Sequence, residues 1–222
     1  MPMTAVLAAG VGVRHGWGPP LRSASFRLES PPSGQPALGI LIPEHGAGSA
    51  VVDLLSGVVS PSYGELRVLG EDMRTERGRA AARARIGVVH RTSRARPGIK
   101  IRGLVEQAAR RARLSRRERP VLTAAILDRL KLTPWADVSL RAAPDPVARR
   151  ARLAAAAVHQ PELLLIDGLL DDLAPGDAAA LADSIRDIGA DTGIVAAGND
   201  ADWLALACPE IVTLADGILV GV

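Results

Sequence analysis

Ala37-Leu38-Gly39-Ile40-Leu41-Ile42 runs into Pro43-Glu44-His45-Gly46-Ala47-Gly48, and Ser49-Ala50-Val51-Val52-Asp53-Leu54-Leu55-Ser56 follows. The first six residues form a continuous apolar run, the pattern of a strand buried on both faces of a parallel sheet. Val51, Val52, Leu54 and Leu55 fall at helical spacing, and Gly57 stops that helix. A strand, a glycine-bearing turn and a helix in this order predict an α/β domain.

The neighbouring sequence extends this pattern in both directions. Toward the N-terminus, residues 5–14 and 21–28 read as strands, the second with Ser23, Ser25 and Arg27 alternating against Ala24, Phe26 and Leu28. Toward the C-terminus, Pro61-Ser62-Tyr63-Gly64 is a turn before a strand at 65–69, and Ile86-Gly87-Val88-Val89-His90 is another strand. From about residue 99 to 158 the pattern is helical: 103–114, then a helix opened by a capping box of Ser115 and Glu118 and running to 132, then an alanine-rich helix from Pro144 or Asp145 to Val158. Strand and helix then alternate again, with strands at 163–166, 193–197, 211–214 and 217–220 and helices at 175–188 and 201–206. The expected organisation is a single domain over 1–222, its core at 1–91 and 151–222 and a helical subdomain at 92–150.

Composition agrees. The chain has 222 residues, 48% apolar and 23% charged, enough for a sizeable core and too apolar for disorder. No run approaches the roughly 18 apolar residues of a membrane span. The stretch 4–13 has no basic residue before it and reads as a strand of a cytosolic protein rather than a signal peptide. A lone Cys208 excludes a disulfide framework and a cysteine-based zinc site. The net charge of +3 hides an asymmetry: 16 Lys/Arg against 3 Asp/Glu between Arg74 and Arg119, but one base, Arg186, against 12 acids from Gln160 to Val222. Such a split predicts two parts facing different surroundings, or simply a solvated arginine-rich helix face.

Main-chain N–H groups in a turn at a helix N-terminus attract phosphate. The full phosphate loop is G-x-x-x-x-G-K-[ST], in which the lysine reaches the outer phosphates and the hydroxyl holds magnesium. Gly46 and Gly48 are in place, but Pro43 stands at the first glycine position, Ser49 at the lysine and Ala50 at the hydroxyl. Shifting the frame by one makes Ser49 the hydroxyl and still supplies no lysine. Two readings stay open on these residues alone: a phosphate turn that has lost its cation, and a tight strand–helix turn without a ligand.

Around that turn come Asp53-Leu54-Leu55-Ser56-Gly57 and Ser60-Pro61-Ser62-Tyr63-Gly64-Glu65-Leu66-Arg67-Val68-Leu69-Gly70. Ile86-Gly87-Val88-Val89, Val158-His159-Gln160-Pro161-Glu162-Leu163-Leu164-Leu165-Ile166-Asp167 and Ala215-Asp216-Gly217-Ile218-Leu219-Val220 follow in the same order. Over almost the whole chain this series resembles the nucleotide-binding subunits of ABC transporters. The resemblance implies a P-loop NTPase-type core with a mixed sheet, N-terminal antiparallel strands and an inserted helical subdomain.

It also implies roles for positions. The family's adenine-stacking aromatic falls on His15, its phosphate turn on Gly46, Ala47, Gly48 and Ser49, and its magnesium-holding carboxylate on Asp167. Together these six form a vestigial nucleotide site. The rest of the machinery is replaced. Arg91 stands for the glutamine that senses magnesium, and a guanidinium only donates. The signature L-S-G-G-Q falls on Ala143-Pro144-Asp145-Pro146-Val147, which puts a carboxylate where the partner's γ-phosphate would arrive and removes two main-chain donors. Gly168 replaces the glutamate that polarises the attacking water, and Asn199 replaces the switch histidine. Asp171-Asp172-Leu173-Ala174-Pro175 keeps only the Leu and Pro of S-[AG]-L-D-P, and both aspartates read as solvent-facing caps near the helix at Pro175. No catalytic residue and no standing metal site are assigned.

Phosphoryl transfer depends on positioned charge, and each charged part lost costs several kcal/mol of barrier. Losing them jointly predicts hydrolysis near background, and binding of ATP with magnesium no tighter than about the millimolar range. The expected role is that of a degenerate pseudo-ATPase subunit. Its expected partners are an intact ABC ATPase chain, a transmembrane subunit or a second copy, at the cytosolic face of the inner or plasma membrane. Two alternatives accompany it. One is an active ATPase in which Ser49, Asp167 and Arg91 or Arg94 take over the missing roles. The other is a nucleic-acid-binding module on the arginine-rich helices, disfavoured by an aromatic content of 2%.

Overall fold

The computed structural model describes residues 4–13, 21–29, 37–42, 47–91, 96 and 98–220. In chain order these form β1 (Thr4–Gly12), β2 (Ala24–Glu29), β3 (Ala37–Leu41), α1 (Ala47–Leu55), β4 (Tyr63–Val68), β5 (Glu71–Asp72), α2 (Glu76–Arg83) and β6 (Ile86–His90). Then come α3 (Ile101–Arg111), α4 (Glu118–Arg129), a 3-10 turn at Thr133–Trp135 and α5 (Asp145–Ala157). The chain closes with β7 (Leu163–Asp167), α6 (Pro175–Gly189), β8 (Gly193–Gly198), α7 (Ala201–Ala207), β9 (Glu210–Ala215) and β10 (Ile218–Val220).

The continuous apolar runs become the interior strands of a mixed six-stranded sheet of order β10-β9-β3-β8-β7-β6, in which only β10 runs antiparallel to its neighbour. Their lack of polar alternation has a simple cause, since side chains on both faces are buried. Leu163 and Leu165 of β7, Val195 and Ala197 of β8, and Leu38 and Ile40 of β3 face a layer that holds α1 and the inner side of a four-stranded antiparallel sheet, β2-β1-β4-β5. Leu164, Ile166, Ile194 and Ala196 face the opposite layer, built from α3 to α7. The stretch at 4–13 is accordingly a central strand, β1, with Ala5, Val6, Ala8 and Val11 buried.

The helical region between β6 and β7 shares its core with the sheet: Ile101, Val105 and Leu153 belong to the same apolar cluster as Leu164 and Ile166. Small residues on α5 let it approach closely, and Gly87 of β6 completes the fit. A Cβ at Gly87 would stand 2.4 Å from the Ala156 carbonyl oxygen. The capping box forms as expected, with Glu118 N donating to Ser115 Oγ (3.2 Å) and Ser115 N to Glu118 Oε2 (2.9 Å). That helix ends at Arg129 rather than at 132, because Lys131 takes a left-handed φ of +55°. Cys208 is buried beside α7, and burial pushes its thiol up to about 12.

Two elements escape the sequence reading, β5 and α2. In α2 only Gly78 and Ala82 are buried, so it carries no apolar periodicity, and its start is marked by Thr75, whose Oγ1 accepts from Gly78 N at 3.0 Å. The basic segment also turns out to be split. Arg79 and Arg83 donate to main-chain oxygens of Met73, Arg74, Ser56 and Gly57, and Arg85 to Leu69 O and Glu162. Arg110, Arg111, Arg113, Arg116 and Arg117 are instead exposed around the end of α3. Among the described residues no helix is long and apolar enough to cross a membrane.

Candidate functional site

Parallel strands end at a common edge, and ligands of open α/β sheets bind outside those carboxyl ends. β3, β8, β7 and β6 deliver Leu41, Gly198, Asp167 and His90 to that edge. The β6–β7 register sets His90 directly opposite Asp167, and Nδ1 of the imidazole lies 3.0 Å from Asp167 Oδ2. The hydrogen bond to Asp167 lifts the imidazole above its ordinary value, against the opposing effect of burial. Asp53, half-buried on α1, is raised by burial and by the Asp167 charge and lowered by His90, so the imidazole serves two carboxylates.

Beyond Asp167 the chain turns sharply. Gly168 has φ +62°, and its N–H is bound to Ala197 O (2.9 Å). A Cβ there would lie 3.0 Å from Asp171 Oδ2. Gly168 therefore sits in a conformation that side chains resist. Asp171 corrects the expectation of a solvent-facing cap. It turns inward, accepts from Asn199 N at 3.1 Å, and burial raises its carboxyl. Asp172 does face solvent and meets Arg91 Nη1 at 2.5 Å, while the Arg91 amide donates to Asp167 O. The helix at Pro175 takes no side-chain cap from either aspartate.

The segment aligned with the signature opens α5. Asp145 in its first turn accepts from Arg149 Nε (2.8 Å) and pairs with Nη2 (2.7 Å). Arg149 is only 3% exposed, and its Nη1 reaches the main-chain oxygens of Leu169 (2.9 Å) and Asp171 (2.6 Å). One buried guanidinium thus fastens the start of α5 to the loop after Asp167.

Of the six residues expected to form the nucleotide site, Ala47, Gly48 and Ser49 make the first turn of α1, and Asp167 stands at the same sheet edge. His15 and Gly46, like Arg94, lie outside the described residues. His90, Asp53 and Arg149 are the members that sequence reading passed over. His90 had a usable signal, since two apolar runs of equal length, each ending in a polar residue, pair end to end when parallel. Arg149 had none beyond its i,i+4 spacing from Asp145.

The fold family implies ATP with magnesium, and the residues at this edge depart from a magnesium site. The one carboxylate at the end of β7 already holds an imidazole, and no lysine follows the glycine turn. Among the described residues no three His, Cys, Asp or Glu side chains gather as a metal-holding set.

The profile described as "ABC transporter" matches residues 38–170. The Nod factor export ATP-binding protein I of Bradyrhizobium diazoefficiens is 31% identical over 129 residues, 58% of this chain and 42% of that protein. The chain spans about half the length of the curated relatives it matches. Among solved structures, cbiO1 from Clostridium perfringens, described as part of the ABC transporter complex cbiONQ, superposes with a TM-score of 0.82 at 17% identity, covering 98% of this chain and 87% of that one. A dimeric ATP-binding cassette in a post-hydrolysis state, bound to ADP and Pi, gives 0.80 at 17% identity with 96% of each chain covered.

Proposed function

Because this chain belongs to the ABC transporter family, we propose that it is an ATP-binding-cassette subunit of a membrane transport complex whose own hydrolytic site is degenerate. It acts as a structural or regulatory partner. The observation that carries this reading is the pair of positions at the end of β7. Asp167 is held by His90, and the next residue is a glycine at φ +62°, with no side chain to orient a water. The signature-aligned start of α5 adds to it, since Pro144 and Pro146 lack main-chain donors and the helix is tied by Arg149 to the chain's own loop.

The similar structures include a dimeric cassette and a component of a transporter complex. By that likeness the partners are an intact ATPase chain, a second copy or a transmembrane subunit, with the chain on the cytosolic side of the membrane. The exposed arginines at the end of α3 suit an acidic element or anionic lipid there. The vestigial site of His15, Gly46, Ala47, Gly48, Ser49 and Asp167 would bind ATP no tighter than about the millimolar range, or about −4 kcal/mol.

The test is turnover of ATP with magnesium by the purified chain, together with isothermal titration. The expected result is hydrolysis at the no-enzyme background and no resolvable heat at micromolar nucleotide. Turnover that disappears in Asp167→Ala would instead establish an active ATPase with rearranged motifs.

A further inference from the structure

Four carboxylates crowd the carboxyl edge of the sheet: Asp53 from α1, Asp167 from β7, and Asp171 and Asp172 from the following loop. Here two side chains of adjacent residues on one strand end supply the positive charge. Arg91 pairs with Asp172 and acts on Asp171, and His90 pairs with Asp167 and acts on Asp53. The His90–Asp167 contact is imposed by the backbone, because the two residues are register partners on adjacent parallel strands. It is also partly shielded from water, with side-chain exposures of 32% and 17%, so the attraction exceeds that of a surface pair.

On the reading of this edge as a degenerate nucleotide site, we infer that His90 takes the place of a divalent cation at Asp167, so that nothing bound at this edge depends on magnesium. The imidazole occupies Asp167 Oδ2, one of the two oxygens a metal would share, and it links the ends of β6 and β7. The change of chemistry is specific. A cation arrives with its ligand and leaves with it, whereas an imidazole stays on the chain, so the partner of Asp167 Oδ2 is in place with or without an anion nearby.

The test uses manganese(II) alone, added to the full chain, read by paramagnetic broadening of the His90 ring and the Gly168 amide in NMR spectra. In the unaltered protein neither signal broadens before the bulk of the surface signals. In His90→Ala the Gly168 amide broadens at a manganese concentration about tenfold lower, and the gain disappears in His90→Ala/Asp167→Ala. Selective broadening of His90 and Gly168 in the unaltered chain, abolished by Asp167→Asn, would overturn the inference. So would a folded His90→Ala chain that gains no manganese response. Should His90→Ala fail to fold, the unaltered chain and Asp167→Asn still decide. Manganese held at Asp167 would leave the scaffold role standing. ATP hydrolysis that persisted in EDTA would end the scaffold role and leave His90 in its place.

Discussion

At the amino end of the β6–β7 pair, Arg85 meets Glu162 through two bonds of 2.7 and 2.6 Å; at the carboxyl end, His90 meets Asp167 through one of 3.0 Å. Both pairs join residues 77 apart, because parallel register repeats the same offset at each end. The chemistry differs. Arg85 holds the Glu162 carboxyl below its usual range, and Glu162 raises the guanidinium further, so that clasp stays charged around neutral pH. The other clasp contains an imidazole, which the hydrogen bond to Asp167 lifts above its ordinary value. The lesson is that one end of the β6–β7 pair is fastened by a clasp that keeps its charge, while the end where relatives of this fold do chemistry is closed by a single, responsive contact.

The largest expected effect comes from Arg149→Ala, which leaves the Leu169 and Asp171 carbonyls and the Asp145 carboxylate without their donor. Removing a buried charged donor of this kind costs about 3 kcal/mol in denaturant unfolding. A loss well below about 1 kcal/mol would show that the carboxyl-end loop holds without it. Next is Gly168→Ala, expected to cost about 1–2 kcal/mol for a left-handed residue with a side chain. Gly168→Glu, which restores the family's acid in name, should be destabilised likewise and should not restore ATP turnover.

The smallest effect sharpens the comparison most. His90 has a folded-state value above the imidazole's ordinary 6.5, so its stabilising contribution is full below 6.5 and is lost as pH rises through the folded value. The stability difference between the unaltered chain and His90→Gln should therefore shrink as pH rises across neutrality. The difference caused by Arg85→Ala, about 0.5–1 kcal/mol for a partly exposed pair, should stay level over the same range. Parallel behaviour of the two variants would erase the distinction between the two ends.

Most of the frame was legible because burial writes itself into sequence. Runs such as Leu163-Leu164-Leu165-Ile166 are apolar at every position because β7 is covered on both faces, and Ser115 with Glu118 announces α4 through a hydrogen-bond pattern local to four residues. α2 was not legible, since its contact with the rest of the fold is made by Gly78 and Ala82 while its arginines reach main-chain oxygens far along the chain. At the site, the identities of Gly168 and Asn199 at their places after β7 and β8 could be read by position. The pairing of His90 with Asp167 and the inward turn of Asp171 could not, because each depends on a register or a φ angle that emerges only when distant segments meet.

Cys208 carries one more consequence. A thiol kept protonated by its surroundings neither exchanges with disulfides nor yields to mild oxidants. While folded, that cysteine is thus shielded from the redox state of its surroundings. Its single thiol becomes reactive only when α7 lifts from the sheet, a natural tally of how often the molecule opens.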